Sequence, residues 1–484
     1  MSKLRIFPLC FLSLALTACT VGPRFKQPEA VLPETWEGSA AENVQTPLDI
    51  TQWWKRFNDD KLTDLIERAF AGNIDLAMAR SRIQQARWTL GITRSGLFPA
   101  ADLDASFSQS GQGNAPSGHM YSAGASASWE LDVFGGLRRD LEADDADYRA
   151  AFADKCAAQV ALAAEVAQNY FSYRGLQQEL IITRSNLELQ KKTLDITQTR
   201  RDGGFESELN LVRARAEVES TSSEIPTLEA QLEQTRHALE YLLGLPTGAL
   251  VEELKEPAEL VALEKFVPEL GVPAALVQRR PDILYAAYKL RAATARIGAA
   301  EADFYPRFFV AGNIYYKAPN ISDVFRSQSK DWSVGPSVSW NIFSAGKTVY
   351  NVKLQKALTE EVGLSWNDAV LNAFKEVEDA LVAIEKEKTR VQILDKLVDS
   401  NRIAFDYSRR SYEEGLLEFL DLLDTQRSLL SSEQKQVLSR QQLASYVVDL
   451  YKALGGGWTE AELEKNDIPE NAPIPGKVAW TQKK

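Results

Sequence analysis

Two kinds of hydrophobic patterning divide this chain. In one, apolar residues recur every three or four positions: Leu162, Val166, Tyr170, Tyr173, Leu176, Leu180, Leu187 and Leu194, and again Val370, Phe374, Val377, Leu381, Ile384, Val391, Leu394 and Val398. That spacing is the seam of one helix packed along another, and it predicts long helices over 137–202 and 346–413. At 1.5 Å per residue, about 65 residues reach roughly 100 Å, deeper than any compact domain. Shorter helices are predicted over 61–97, 208–243, 274–303 and 419–454. In the other kind the period is two. Ala101, Leu103, Ala105 and Phe107 alternate with Asp102, Asp104, Ser106 and Ser108. Tyr121, Ala123, Ala125, Ala127, Trp129 and Leu131 alternate with Ser122, Gly124, Ser126, Ser128 and Glu130. Trp332, Val334, Val338, Trp340 and Ile342 repeat this against Ser333, Gly335, Ser337, Ser339 and Asn341, with Pro336 an awkward missing donor in mid-strand. A fourth strand, Phe308–Tyr316, alternates poorly and is aromatic on both faces.

The elements come twice. The stretch Asn73–Pro99 aligns without gaps on Arg280–Pro306, pairing Asp75 with Asp282, Ala79 with Ala286 and Gly91 with Gly298. Farther on, Trp129 matches Trp340, Gly204 matches Gly415, and Leu243-Gly244 matches Leu454-Gly455. The offset is 207 before the strands and 211 after them, so four extra residues fall between Pro306 and Trp340, where a loop is expected. A period this long is no solenoid and reads as a duplicated half-molecule.

Strands of about ten residues, apolar on one face, small and polar on the other, and aromatic at their ends, fit a membrane β-barrel with a wet lumen. A soluble half-buried sheet has the same period. Four strands cannot close a barrel, and an open edge in lipid leaves backbone groups unsatisfied at several kcal/mol each. The barrel must then be shared between chains: two give eight strands and a filled interior, three give twelve and room for a lumen.

The first twenty residues are a secretory signal: Lys3 and Arg5, then the apolar Ile6–Ala18, too short to span a membrane. Leu16-Thr17-Ala18-Cys19 resembles the bacterial lipobox, which implies a lipid on Cys19, and Thr20, rather than Asp, after it implies by the same resemblance sorting to the outer membrane. Acidic residues outnumber basic ones, 67 to 55, without a long basic run, which argues against nucleic acid as a partner. His119 and His237 are far apart with no cysteine near either, and Cys10 and Cys19 in the first 20 residues leave Cys156 without a partner. Neither a metal cluster nor a disulfide framework is therefore indicated. Walker and nucleophile-elbow motifs are missing, so neither an NTPase nor a hydrolase of that kind is indicated.

One acidic run remains, YEEGLLEFLDLLDTQ (Tyr412–Gln426). Glu418, Asp421 and Asp424 span about 120° of a helix face. A glycosidase would need such carboxylates in a pocket on a compact domain, which long seams do not offer. On a single chain the plain reading is a solvated face. The first-half counterpart, Ser207–Arg215, carries Asn210 and Arg213 where Asp421 and Asp424 stand, so the acid belongs to one half only.

These residues together resemble a TolC-family outer-membrane efflux channel, of the lipoprotein branch that includes OprM, CusC and NodT. The resemblance rests on Leu16–Cys19 with Val21-Gly22-Pro23, on Trp53–Leu62 (WWKRFNDDKL), on Arg279–Ile283 (RRPDI), on the junctions at Pro99 and Pro306, on Trp129–Gly136 and on Leu417–Leu430. It implies an α+β membrane protein with an internal two-fold repeat. Three chains would form a 12-stranded transmembrane β-barrel, four strands per chain, continuous with a long periplasmic α-helical barrel. The implied segments are a signal peptide (1–18), an acylated N-terminus and equatorial segment (19–60), the first repeat (61–244), an equatorial linker (245–270), the second repeat (271–455) and a tail (456–484). The implied function is that of a passive exit duct for drugs or other small toxic solutes, without enzymatic activity and with no cofactor beyond the lipid. An inner-membrane pump of the RND type and a periplasmic adaptor would deliver the solute. A protein-secretion duct of type I is the alternative within the class, and a periplasmic coiled-coil adaptor or scaffold lipoprotein the alternative outside it. The resemblance places a periplasmic gate at Asp421 and Asp424, with Tyr412 beside it. Adaptor-contacting tips would fall at Gly204, Phe205, Glu206 and Ser207, and at Gly415, Leu416, Leu417 and Glu418. Some family members carry an arginine where Leu417 stands, which implies a more apolar closure here. Two carboxylates 6 Å apart repel by about 3 kcal/mol at an effective dielectric near 20, so a closed acidic ring needs protons, cations or a basic partner. Arg409, Arg410 and Arg427 are the nearby candidates.

Overall fold

The computed structural model describes residues 20–29, 36, 42–43, 50–111, 113, 118–263, 266, 269–270 and 277–464. Cys19 and the tail beyond residue 464 lie outside them. The principal elements are α1 (Asp60–Gly72), α2 (Ile74–Ser95), β1 (Ala100–Ser110), β2 (Gly118–Leu131), α3 (Gly136–Asp202) and α4 (Glu208–Leu242). Then follow α5 (Pro281–Ala302), β3 (Arg307–Ala318), β4 (Lys330–Ser339), α6 (Lys347–Glu413) and α7 (Phe419–Ala453). Helices α3 and α6 both have 67 residues, α4 and α7 both have 35, and α2 and α5 both have 22. The link 319–329 between β3 and β4 is four residues longer than the link 111–117 between β1 and β2.

The chain divides into two compact units, and neither is a sequence half. One takes the described residues of Met1–Ala30, Ser81–Ala153 and Ile283–Ala369; the other takes those of Val31–Arg80, Asp154–Asp282 and Val370–Lys484. Each unit therefore draws on both halves, and α3 and α6 contribute to both units.

The first unit holds a four-stranded antiparallel sheet in the order β1-β2-β3-β4. Its register sorts the alternation. Leu103 faces Ala125, Ala125 faces Ile314, and Ile314 faces Trp332, so the apolar sets of all four strands share one side. The strand that alternates poorly in sequence is sorted by the same pairing. Phe308, Val310, Ile314 and Tyr316 join the apolar side, while Tyr315 turns to the polar side and donates its hydroxyl to Asp104 at 3.0 Å. On that polar side Ser106 and Ser122 hydroxyls meet at 2.8 Å, and Lys317 pairs with Asp331. Pro336 lies on β4, which has a single strand neighbour within the chain, and faces Val310 of β3. The apolar side is bare in the single chain: Leu103 is 88% and Val334 68% exposed.

Both helix-to-strand corners are closed alike. Trp129 donates its indole N–H to the Leu97 carbonyl at 2.9 Å, and Trp340 donates to the Phe304 carbonyl at 3.1 Å. The segment after Cys19 docks in the same unit. Val21 donates its N–H to the Phe134 carbonyl, and the Arg139 guanidinium donates to the carbonyls of Val21 and Gly22. Gly22, at φ +91°, lies so close to Gly298 that a Cβ would come within 2.4 Å of its Cα. Glycine at position 22 is what this approach requires, while a Cβ at Gly298 would press on the Arg139 side chain at 2.8 Å.

In the second unit, WWKRFNDDKL becomes a 3-10 turn with Trp53, Trp54 and Phe57 buried, followed by Asp59 as N-cap of α1. Trp53 stacks on Tyr451, ring centroids 5.3 Å apart. The second carboxylate oxygen of Asp59 accepts the Tyr170 hydroxyl at 2.7 Å, and burial pushes that phenol up to about 12. Cys156 is buried, its thiol pushed up to about 12 by desolvation, and so is chemically inert.

Two predicted helices are corrected here. The span 61–97 is broken at Asn73, whose backbone is extended; its Oδ1 accepts the Leu76 N–H and its Nδ2 donates to the Leu242 carbonyl. The span 274–303 becomes continuous helix only from Pro281, with Arg280 just outside it; residues 274–276 are not described. Arg280 stands 207 positions after Asn73 and donates to the Ala453 carbonyl, as Asn73 donates to that of Leu242. The apolar periodicity runs across both breaks, because a capping side chain interrupts the backbone without disturbing the spacing.

Candidate functional site

The two helical hairpins α3–α4 and α6–α7 are turned by the same device. Phe205 N–H reaches back to the Arg200 carbonyl at 2.8 Å and Gly204 N–H to that of Arg201 at 3.0 Å. In the other hairpin Leu416 reaches Ser411 at 2.8 Å and Gly415 reaches Tyr412 at 3.0 Å. Both glycines sit at φ +78°, the left-handed residue of a helix stop that side chains with a Cβ adopt only under strain. Beyond the glycines, Phe205 is 80% and Leu416 76% exposed. Ser207 caps α4 through its hydroxyl, which accepts the Asn210 N–H; Glu418, its counterpart, begins α7 without a side-chain cap.

What joins the hairpins is a cluster around Tyr412, which is 1% exposed. Its hydroxyl donates to Glu206 Oε2 at 3.2 Å and lies 3.0 Å from the Thr197 hydroxyl. Arg200 donates to the Tyr412 carbonyl at 2.9 Å and holds its guanidinium 4.9 Å from the ring centroid. Desolvation raises the Tyr412 phenol above its ordinary value, with Thr197 acting against it and the Glu206 carboxylate with it. The hydroxyl thus stays protonated and serves as donor. Phe405, Phe419, Leu422 and Leu423 pack around it, and the half-buried Leu417 closes against the same core.

The sequence-predicted residues therefore separate. Asp421 and Asp424 are exposed on α7 and make no hydrogen bond or ion pair with a described residue. Tyr412 is internal, a clasp between hairpins of one chain. Of the basic candidates, Arg427 bonds Glu217 of the other hairpin at 2.5 and 2.9 Å and lies within electrostatic reach of Asp424, and Arg409 lies 3.8 Å from Glu413. Arg200 and Thr197 had no sequence signal, since their partner is more than two hundred residues away. Among the described residues no group of three or more His, Cys, Asp or Glu side chains could hold a metal ion. No helix among them is long and apolar enough to cross a membrane.

Residues 65–245 and 272–456 each match the family model for outer membrane efflux proteins. Nodulation protein T of Rhizobium leguminosarum bv. trifolii is 32% identical over 454 residues, 93% of this chain and 96% of that protein. The cation efflux system protein CusC of Escherichia coli O6:H1 is 30% identical over 468 residues, 95% of this chain and all of that one. Among solved structures, the outer-membrane channel OprN superposes with a TM-score of 0.85 at 35% identity, covering 91% of this chain and 100% of its own. With matches across both sequence halves and a full-length structural counterpart, the chain belongs to the outer membrane efflux protein family.

Proposed function

We propose that three copies of this duplicated chain assemble into a passive exit duct. Their twelve strands close one barrel in the outer membrane, and their helices continue as a periplasmic tube. The observation that carries this reading is the sheet: its apolar side is bare, its polar side is lined with serines and aspartates, and both its edges are open. The family match in two parts, 65–245 and 272–456, supports the duplication, and in this reading the segments are 19–60, 61–244, 245–270, 271–455 and 456–484. Cys19 carries the lipid, and the docking of Val21 and Gly22 supports an anchor beside the sheet. An inner-membrane pump of the RND type and a periplasmic adaptor supply drugs or other small toxic solutes; the duct itself performs no chemistry.

In this reading Asp421 and Asp424, exposed in one chain, form an acidic ring when three chains meet. The double substitution Asp421→Ala with Asp424→Ala is expected to raise single-channel conductance in planar bilayers about two-fold or more and to weaken cation selectivity. Conductance and selectivity equal to those of the unsubstituted channel would remove both residues from the gate.

The exposed Phe205 and Leu416 sit at turns suited to receive the adaptor. A photoreactive residue placed at Phe205 or Leu416 is expected to capture the adaptor in cells. Capture only from positions on the sheet would relocate that contact.

A further inference from the structure

The segment that follows Cys19 forms one wall of an open pocket of about 500 Å³ in the first unit, lined by Thr20, Arg24, Phe25, Arg139, Glu142 and Arg291. Thr20 packs against Gly135, where β2 gives way to α3. The Arg139 side chain lies on Gly298, four residues before α5 ends at Ala302. At 1.5 Å per residue, the basic wall therefore begins about 6 Å from the sheet.

Three guanidiniums share this pocket with one carboxylate, and that carboxylate is already engaged: Glu142 accepts from Arg139 at 2.8 Å. Glu301, the carboxylate beside Gly22, is paired with Lys356 at 3.1 Å. Arg139 has a structural task, since it also holds the carbonyls of Val21 and Gly22. Arg24 and Arg291 have none. Arg24 is exposed and Arg291 half-buried, and among the described residues neither makes a hydrogen bond or an ion pair. Guanidinium does not lose its proton, so the pocket keeps an unbalanced positive charge at every working pH. Nor does the fold require these side chains. By the repeat offsets Arg139 corresponds to Tyr350, Arg291 to Gln84 and Glu142 to Lys353, so the duplicated corner is built without this arrangement.

Depth narrows the choice of anion. A headgroup layer is roughly 5–8 Å deep on each side of a bilayer, and the Trp129 and Trp340 corners suit its inner boundary. With the sheet in the outer membrane and a lipid entering at Cys19, next to Thr20, the arginines fall at headgroup depth on the periplasmic face. Arginine takes phosphate oxygens two at a time, and basic pockets at a membrane surface select anionic lipids. We propose that this pocket binds the phosphate of an anionic phospholipid headgroup, with Arg24 and Arg291 as its direct ligands. The proposal rests on the anchored, membrane-spanning reading above and adds to it a lipid-binding site once in each chain.

The test is native mass spectrometry of the full-length channel in nonionic detergent, titrated with short-chain phosphatidylglycerol. The unsubstituted channel is expected to saturate at one lipid per chain and to bind phosphatidylcholine of the same chain length at least about ten-fold more weakly. Arg24→Gln with Arg291→Gln should weaken phosphatidylglycerol at least about ten-fold, and Arg24→Lys with Arg291→Lys should recover most of it. Arg213→Gln with Arg215→Gln removes the same charge from α4 and should leave binding within about two-fold. Unchanged binding by the Arg24→Gln, Arg291→Gln channel would overturn the site, and an equal loss in the α4 variant would reduce it to net charge. Phosphatidylcholine bound as tightly would overturn the anionic selectivity. Displacement of the lipid by an equal concentration of inorganic phosphate would make this a free-phosphate site and not a headgroup site. The mass of the N-terminal peptide keeps the two readings apart. An unmodified Cys19 overturns the anchor and the membrane placement of the pocket, whereas a lipidated Cys19 on a channel without selective binding overturns the arginine site alone.

Discussion

Arg200→Ala is expected to produce a channel with several-fold higher conductance in planar bilayers and cells newly sensitive to antibiotics normally too large to enter. The expectation follows from what the side chain does in the tip cluster. Its guanidinium, on α3, donates to the Tyr412 carbonyl at the end of α6 and lies over the Tyr412 ring. A hydrogen bond from a charged donor contributes about 1.5–3 kcal/mol and an exposed cation–π contact about 0.5–1 kcal/mol. Losing both would release about 2–4 kcal/mol of restraint in each chain, and in a trimer the loss occurs three times. Arg200→Lys keeps the charge but not the planar stacking on the ring, and its conductance should fall between. Tyr412→Phe removes the bonds to Glu206 and Thr197 while leaving the ring and carbonyl for Arg200, so its effect should be smaller. Because the clasp sits at the ends of the hairpins, its loss should lower the melting temperature of the assembled protein only modestly while conductance rises several-fold. A conductance change out of proportion to the melting change separates release of a clasp from general unfolding. An Arg200→Ala channel with ordinary conductance would mean that the two hairpins of a chain do not move apart when the duct opens.

Arg280→Ala should act in the opposite sense, on stability and not on conductance. The side chain, 8% exposed, sends a pair of bonds to Asp282 at 2.6 and 3.0 Å, one to Glu376 at 2.6 Å and one to the Ala453 carbonyl at 2.9 Å. It thereby ties the start of α5 to α6 and to the last turn of α7. Breaking a buried pair costs about 3–5 kcal/mol, and the lower end applies because Asp282 and Glu376 keep some 40% of their side-chain surface in water. The readout is the temperature at which the assembly dissociates on a heat-modified gel, together with the amount reaching the membrane. Asn73→Ala removes the corresponding tie in the first half, a neutral cap worth about 1–2 kcal/mol, and should cost less. An Arg280→Ala protein as heat-stable as Asn73→Ala would show that the carboxylates, left alone, are adequately solvated.

The long helices were legible nearly to the residue because their ends coincide with glycines in the left-handed region, at Gly204 and Gly415, after uninterrupted seams. The strand faces were legible where small polar residues alternate with apolar ones. They were illegible in Arg307–Ala318, where only the pairing with β2 tells that Tyr315 belongs with the aspartates and Tyr316 with the apolar side. Breaks at Asn73 and Arg280 escaped because capping leaves hydrophobic spacing intact. The acidic residues of α7 were visible as a pattern. The clasp beside them was not: Thr197, Arg200, Glu206 and Tyr412 are ordinary helix and turn residues until the fold brings the hairpins together. Tyr412 stood out in the sequence only by its place before Gly415, and the structure buries it between the two hairpins of one chain.

The two tryptophan corners bear on how such a protein sits in lipid. A helix that ends and turns into a strand at membrane depth leaves carbonyls facing a medium that cannot hydrogen-bond them. At Leu97 and Phe304 the missing donor is an indole, a group that also prefers the boundary between hydrocarbon and water. One side chain thus satisfies the backbone and, in lipid, would set the level of the corner. With two such corners in each chain, and six around a threefold assembly, the rim would be held at one height from every side, and a tilt would have to lift some indoles out of the boundary while sinking others.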